Sequence, residues 1–218
     1  MNYYAFSGLF VMIASLAMGF FVFLRNKKGS INITFLIFTL TIALWSFGYF
    51  FWQISNNEQA ALFWSRFLMA GAIFIPPSYL HLTYNLSLIL SEKIKKLVIC
   101  NYILSFIFLI FDFTPLFINR VEPILSFQYW PMPGLVFHPF LALWLISMIY
   151  ATYLLLSQSR RFDGVMKLRM KWTALGVLVG IIGGSTNYFL WYQIPIPPVL
   201  SILASVYVFA VAYIIFKK

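Results

Sequence analysis

The chain has 218 residues and a mass of 25.3 kDa, with 62% hydrophobic residues and only 9% charged ones. A soluble domain carries roughly 25% charged residues, so a mean hydropathy of +0.90 excludes a single water-soluble core of this size. Disorder, a disulfide scaffold (the only cysteine is Cys100) and a nucleic-acid-binding domain are also excluded, and the composition predicts an integral membrane protein.

Seven apolar stretches are long enough to cross the bilayer, whose core of roughly 30 Å takes about 20 helical residues. They predict an all-α, polytopic seven-transmembrane-helix bundle that fills residues 1–218 as one domain. Most loops are short, so consecutive helices should pack side by side in alternating directions. The fourth stretch is short and should borrow residues from its flanks. The predicted spans are Tyr4–Leu24, Ile33–Ile54, Ala61–Leu86, Leu97–Phe111, Phe137–Leu156, Trp172–Tyr192 and Pro198–Phe216.

The basic residues predict the orientation. Thirteen of the 15 Lys and Arg follow the first, third, fifth and seventh spans, and therefore lie on one side of the membrane. By the positive-inside rule, the N-terminus is outside and the C-terminus is cytoplasmic, in the plasma membrane of the cell. The net charge of +10 then serves topology and contact with anionic lipid. The thirteen are Arg25, Lys27, Lys28, Lys93, Lys95, Lys96, Arg160, Arg161, Lys167, Arg169, Lys171, Lys217 and Lys218.

The one long loop, residues 112–136, lies on the outer side. Its four prolines and its glycine exclude a continuous helix, and its aromatic residues suit the membrane interface. Two interpretations remain open, an interfacial loop and a lid over a pocket that opens outward. The residues that would form the lid are Tyr129, Trp130, Gly134 and, at the start of helix five, His138.

Helix three is the most informative span. Arg66 lies about six residues from its outer end, where it either reaches the headgroups or faces the bundle and pairs with an acid or an anionic ligand. Pro76 and Pro77 lack amide hydrogens and predict a kink, which either serves packing or opens a cavity. His81 and Asn85 share one face and favour structural hydrogen bonds to other helices over ligand contacts.

Helix six carries a stripe of small residues, Gly176, Gly180 and Gly184. Small residues at such spacing let another helix approach closely, so we expect the stripe to pack inside the bundle rather than to form a dimer face.

Depth in the bilayer suggests a candidate binding site in the outer half of the bundle. We expect a mainly apolar, outward-facing pocket, with the Arg66 guanidinium suited to an acidic ligand head. The predicted ligand-binding residues are Arg66, Asn187, Trp45, Tyr49, Trp52 and Trp191.

No motif indicates chemistry. The chain lacks a P-loop and the GxSxG, HExxH and CxxC patterns, so we assign no catalytic residue, no metal and no cofactor. A retinal protein is excluded because Pro198–Phe216 contains no lysine for a Schiff base. The five acidic residues, none expected deep in a span, disfavour an ion-coupled transporter.

Three segments resemble the N-terminal seven-helix sensor region of bacterial histidine kinases and related signalling proteins. The first is Trp45 together with the Ala60–Arg66 segment and Gly71, Phe74, Ile75, Pro76 and His81. The second is Tyr129–His138. The third is Arg169-Met170-Lys171, followed by Asn187 and Pro195–Pro198.

The resemblance implies a receptor for two-component signal transduction that binds an outside or membrane-borne signal, either a small molecule, a lipid or a peptide. An apolar or acidic-headed ligand would suit the predicted pocket, and helix seven would pass the change to a cytoplasmic output domain, which is absent from this chain. Homodimerisation would run through that domain, and the chain itself would not be an enzyme. The alternative is a small seven-helix transporter or channel-like protein.

Overall fold

A computed structural model describes residues 2–88, 91–206 and 210. Within them, six spans are long and apolar enough to cross a membrane. The first five are single helices, and the sixth is a long helix followed, after Thr186, by a short one. The helices are α1 (Tyr3–Arg25), α2 (Ser30–Gln53), α3 (Glu58–Leu86), α4 (Glu92–Asp112), α5 (Phe137–Ser159), α6 (Gly164–Ser185) and α7 (Asn187–Trp191).

The prediction of a polytopic helical membrane protein is confirmed, and the six spans coincide with the first six predicted ones to within a few residues, except that the sixth begins eight residues earlier. The short fourth stretch does extend into its flanks, to Glu92 and Asp112. Of the seventh stretch, Pro198–Phe216, only the first part is described, and Ser201–Ser205 forms a short 3₁₀ helix there. Residues 207–209 and 211–218 lie outside the described residues.

The helices run alternately up and down. In the first pair, the Asn32 amide donates to the Val22 carbonyl over 2.7 Å at one end, while Gly8 of α1 packs against Tyr49 of α2 at the other. In the last pair, Phe137 at the start of α5 stacks on Trp191 at the end of α7. The loop between α4 and α5, which forms a β-hairpin, therefore lies at one end of the bundle, and we call this end the hairpin end.

Charge is distributed unequally between the two ends. Eleven of the 13 basic residues predicted to share one side are described, and all of them lie at or near the end opposite the hairpin. Arg66 and Arg120 belong to the hairpin end, together with Glu58, Asp112 and Glu122.

The closest helix crossing is between α2 and α3, where glycines let two backbones meet. A Cβ at Gly71 would overlap the backbone nitrogen of Trp45, and a Cβ at Gly48 would lie 2.7 Å from the backbone nitrogen of Leu68. Small residues on both helices allow this close approach. Close packing matters in a membrane because no hydrophobic force drives helices together there.

The two prolines lie inside α3, which continues through them. Pro77 has no amide hydrogen to offer the Ile73 carbonyl four residues earlier. The Ser105 hydroxyl of α4 donates to that carbonyl over 2.9 Å, so a neighbouring helix supplies the missing partner. One and two turns after Pro77 along α3, His81 lies 3.5 Å from the Tyr102 hydroxyl, and the Asn85 amide lies 3.5 Å from the Thr34 hydroxyl.

The loop between α4 and α5 is a β-hairpin, which the sequence had not predicted beyond excluding a continuous helix. Strands β1 (Ile118–Ile124) and β2 (Phe127–Pro133) pair antiparallel, with two register irregularities. Prolines are tolerated at edges and bulges, and each strand of a two-stranded sheet is an edge. The turn between the strands places Leu125 at φ 51°, a conformation that usually calls for Gly or Asn.

Candidate functional site

A cavity lies between the helices in the half of the bundle near the hairpin. It encloses about 730 Å³ of space that protein atoms do not fill, part of which is open to the surroundings. The lining residues are Phe38, Ile42, Trp45, Tyr49, Trp52, Leu68, Met69, Ala72, Ile75, Trp144, Met148, Val177, Gly180, Ile181, Gly184, Asn187, Tyr188, Trp191 and Ala204.

The structure brings five of the six predicted pocket residues to this cavity. Trp45, Tyr49 and Trp52 follow one another along the buried face of α2, and their rings contact in sequence, with centroids 5.3 and 5.4 Å apart. Asn187 and Trp191 approach from α7 on the opposite side. These residues lie at similar distances along their helices from the charged loops, and each is on the helix face that borders the cavity.

Arg66 is the exception, because it lies apart from the cavity. Its guanidinium donates to the Ile118 carbonyl over 2.9 Å and to the Phe113 carbonyl over 3.3 Å, so it joins α3 to the start of the hairpin. Leu68, Met69 and Ala72 form the cavity face of α3 instead. Depth in the bilayer fixed the level of Arg66 correctly, but the rotation of α3 turns it toward the loop.

Asp112 accompanies Arg66 beneath the hairpin. It is the last residue of α4 and is fully buried, whereas the sequence had placed it in the exposed outer loop. Neither carboxylate oxygen has a hydrogen-bond partner within the described residues, and the opposite charge of Arg66 acts on it. The two charges lie on the loop side of α3 rather than among the residues that line the cavity.

The hairpin packs on the aromatic residues of the cavity. The Trp52 indole nitrogen donates to the Tyr129 carbonyl over 2.7 Å, and the ring of Trp130 meets that of Trp52 edge to face at 4.6 Å. On the other side, Phe137 stacks on Trp191 with centroids 4.3 Å apart and planes 10° apart. The predicted lid residues Tyr129 and Trp130 thus contact a cavity wall directly.

The other two predicted lid residues hold the end of the hairpin. The Gly134 amide donates to the Phe117 carbonyl over 2.8 Å, and a Cβ at Gly134 would overlap the Leu116 carbonyl. His138 shares a 2.8 Å hydrogen bond with the Tyr192 hydroxyl. Partial burial raises the pKa of Tyr192, so the phenol keeps its proton.

The glycine stripe of α6 has two different roles along its length. Gly176 is buried, whereas Gly180 and Gly184 border the cavity. A Cβ at Gly184 would have no atom of the described residues within 4 Å, so the described part of the chain makes no close helix contact at this position. The close approach is made by Gly183, whose Cβ would overlap the Leu200 carbonyl, because α6 turns this neighbouring position toward the segment before Ser201.

Among the lining residues that the sequence did not predict, two are aromatic residues with a polar atom on the ring. Trp144 and Tyr188 both line the cavity, with ring centroids 5.9 Å apart. A tryptophan in the middle of a span, away from the interfacial level where tryptophans usually lie, was the signal that could have found Trp144.

The titratable residues do not assemble a metal site: among residues 2–88, 91–206 and 210, no three His, Cys, Asp or Glu side chains come together in a way that could hold an ion.

A family model described as the N-terminal 7TM region of histidine kinase matches residues 8–217. No curated protein and no solved structure matches the chain.

Proposed function

Because this chain belongs to the family of N-terminal seven-transmembrane regions of histidine kinases, it is a membrane-embedded sensor region, and we propose that the aromatic cavity is where its signal binds. The cavity itself is the observation that carries the proposal. It is walled by aromatic rings, and a few polar groups converge on it. These are the usual features of a ligand site.

The position of the cavity supports a role in signalling. One of its lining residues, Ala204, belongs to the short helix Ser201–Ser205, which lies in the first part of the predicted seventh span, Pro198–Phe216. That helix is held to α1 by a 3.3 Å contact between the hydroxyls of Ser201 and Ser7. A ligand that favours one arrangement of this wall shifts the population toward it, and the signal leaves through the predicted seventh span.

The proposal includes an orientation in which the hairpin end is outside. Its basis is the cluster of 11 described basic residues at or near the other end, which the positive-inside rule places in the cytoplasm. Single cysteines at Gln59 and Arg161, both exposed, test it in a background with Cys100→Ala. A membrane-impermeant maleimide should label the first in intact cells and the second only after lysis, and the opposite pattern would reverse the topology.

Mass spectrometry of small molecules that co-purify with the protein tests the cavity as the binding site. Gly184→Leu puts a side chain into the open space beside Gly184 without displacing a described atom near its Cβ. Ala142→Leu adds the same side chain at an exposed position of α5 and serves as the matched control. We expect a bound molecule in the wild type and the control that Gly184→Leu loses. The same molecules in all three proteins would refute the assignment of the cavity.

A further inference from the structure

Besides the Tyr49 hydroxyl, on which the Ser201 side chain acts, two buried polar groups in the cavity wall have no partner in the described part of the chain. They are the indole N–H of Trp144, on α5, and the side-chain oxygen of Asn187, at the start of α7. Each side chain is more than nine-tenths buried, since 6% of either residue is exposed. Leaving a buried donor or acceptor unpaired is costly, particularly where no bulk water can reach it.

The chemical character of each group is fixed. An indole nitrogen can only donate a hydrogen bond. The amide nitrogen of Asn187 donates to the Gly184 carbonyl over 3.0 Å, and because that carbonyl can only accept, the amide cannot be flipped. Asn187 therefore carries an unpaired acceptor and Trp144 an unpaired donor, both on residues that line the cavity. The Trp144 ring lies 5.9 Å from the ring of Tyr188, the neighbour of Asn187, so the two groups belong to one region of the wall.

The remainder of the wall is uncharged. The lining residues are aromatic and aliphatic side chains with glycines, and none of them carries a charge. Arg66, the one cation once expected here, is occupied by the Ile118 and Phe113 carbonyls. A carboxylate entering this cavity would lose its hydration without meeting a positive charge, which is strongly unfavourable.

We infer that the ligand is a neutral, mainly apolar molecule whose head carries both a hydrogen-bond acceptor and a donor, as an amide or a hydroxyl does. The acceptor of the head binds the Trp144 N–H and its donor binds the Asn187 side-chain oxygen. The apolar body lies against the aromatic rings of α2. This inference rests on the proposed function, because it takes the cavity as the signal site, and it replaces the acidic head that Arg66 had suggested.

Three probes with the same ring system test the inference by calorimetry on the purified chain in detergent. They are 2-naphthamide, which has a neutral head with donor and acceptor, naphthalene, which has no head, and 2-naphthoate, whose head is charged. We expect 2-naphthamide to bind most tightly and 2-naphthoate most weakly. Equal affinities, or a preference for 2-naphthoate, would overturn the inference. Equal affinities are the result expected if water in the cavity already pairs with the Trp144 N–H and the Asn187 oxygen.

Two variants test whether the Trp144 N–H and the Asn187 oxygen cause the preference for 2-naphthamide. Trp144→Phe removes the donor and Asn187→Leu removes the acceptor, so each should weaken 2-naphthamide by about two- to tenfold, the effect of one hydrogen bond, and leave naphthalene unchanged. Trp172→Phe makes the same replacement at an exposed tryptophan and should change neither. An undiminished preference for 2-naphthamide in both cavity variants would refute the assignment.

Failure of the ligand chemistry is distinguishable from failure of the site. If Gly184→Leu abolishes binding of all three probes while their affinities for the wild type are equal, the cavity stands as the site and the donor–acceptor head is wrong. If no probe binds the wild type, the inferred ligand class is wrong, and the co-purification comparison decides separately whether the cavity is the site.

Discussion

Replacing Gly71 by alanine should destabilise the bundle at the crossing of α2 and α3. The new Cβ would overlap the backbone nitrogen of Trp45 and lie 2.8 Å from the Thr41 carbonyl oxygen, where ordinary contact begins at 3.4 Å. The opposing atoms belong to the backbone, so no side chain can rotate away and α2 must move by at least about half an ångström.

The size of the effect follows from two opposing terms. Overpacking of this kind costs about 1–3 kcal/mol, whereas alanine in place of a helical glycine gains about 0.5–1 kcal/mol. We therefore expect Gly71→Ala to lower the free energy of unfolding by up to about 2.5 kcal/mol, and to be about 1–3 kcal/mol less stable than a glycine-to-alanine change in open space. Gly184→Ala is the matched control, because its Cβ meets no described atom within 4 Å and only the helical gain remains.

Unfolding of both variants by SDS in mixed micelles, followed by tryptophan fluorescence, gives the comparison. If Gly71→Ala is as stable as Gly184→Ala, the two backbones do not meet at Gly71, and the described crossing is incorrect.

Two further predictions concern hydrogen bonds between elements. Arg66→Met removes the donor to the Phe113 and Ile118 carbonyls, so it should cost about 1.5–3 kcal/mol of stability and speed proteolysis of the hairpin. Arg120→Met breaks only an exposed ion pair and should cost less than about 1 kcal/mol, and equal losses would contradict the anchoring role of Arg66. Ser105→Ala should cost about 0.6 kcal/mol, the average for hydrogen bonds between membrane helices, and no more than about 1.7 kcal/mol, because the Ile73 carbonyl loses its partner. Pro77→Ala restores an amide that can donate to the Ile73 carbonyl, so the stability lost through Ser105→Ala should be smaller in that background. Strictly additive changes in a double-mutant cycle would show that the two residues are not linked. Ser157→Ala is the control, because the Ser157 hydroxyl donates within its own helix.

Hydropathy and charge were sufficient to predict the first six spans, because lipid favours helices, in which every backbone polar group is paired, and separates charges from apolar runs. They could not predict the hairpin. Its strands contain Pro123, Pro131 and Pro133, and its turn places Leu125 in a conformation for which the sequence carries no glycine or asparagine. The hairpin is stabilised by contacts with the rest of the chain, such as Trp52 with Trp130, which no local pattern contains.

The candidate site was predictable in level but not in rotation. Trp45, Tyr49 and Trp52 repeat on one helix face, so the sequence gives both their depth and their common direction. For Arg66, sequence gives the depth alone, and which neighbour α3 turns it toward depends on the packing of four helices. The same uncertainty explains Gly184, where a small residue makes room for a cavity instead of for a helix.

The glycine crossing of α2 and α3 also determines which wall of the cavity can move. These helices meet backbone to backbone at Gly48 and Gly71, and the hairpin is fastened to one through Trp52 and to the other through Arg66. They behave as a fixed frame, because neither can slide without forcing the other's main chain. Any change in the width of the cavity must therefore come from the opposite wall. That wall is formed by α5, α6, α7 and the Ser201–Ser205 helix, and it moves relative to the fixed pair α2 and α3.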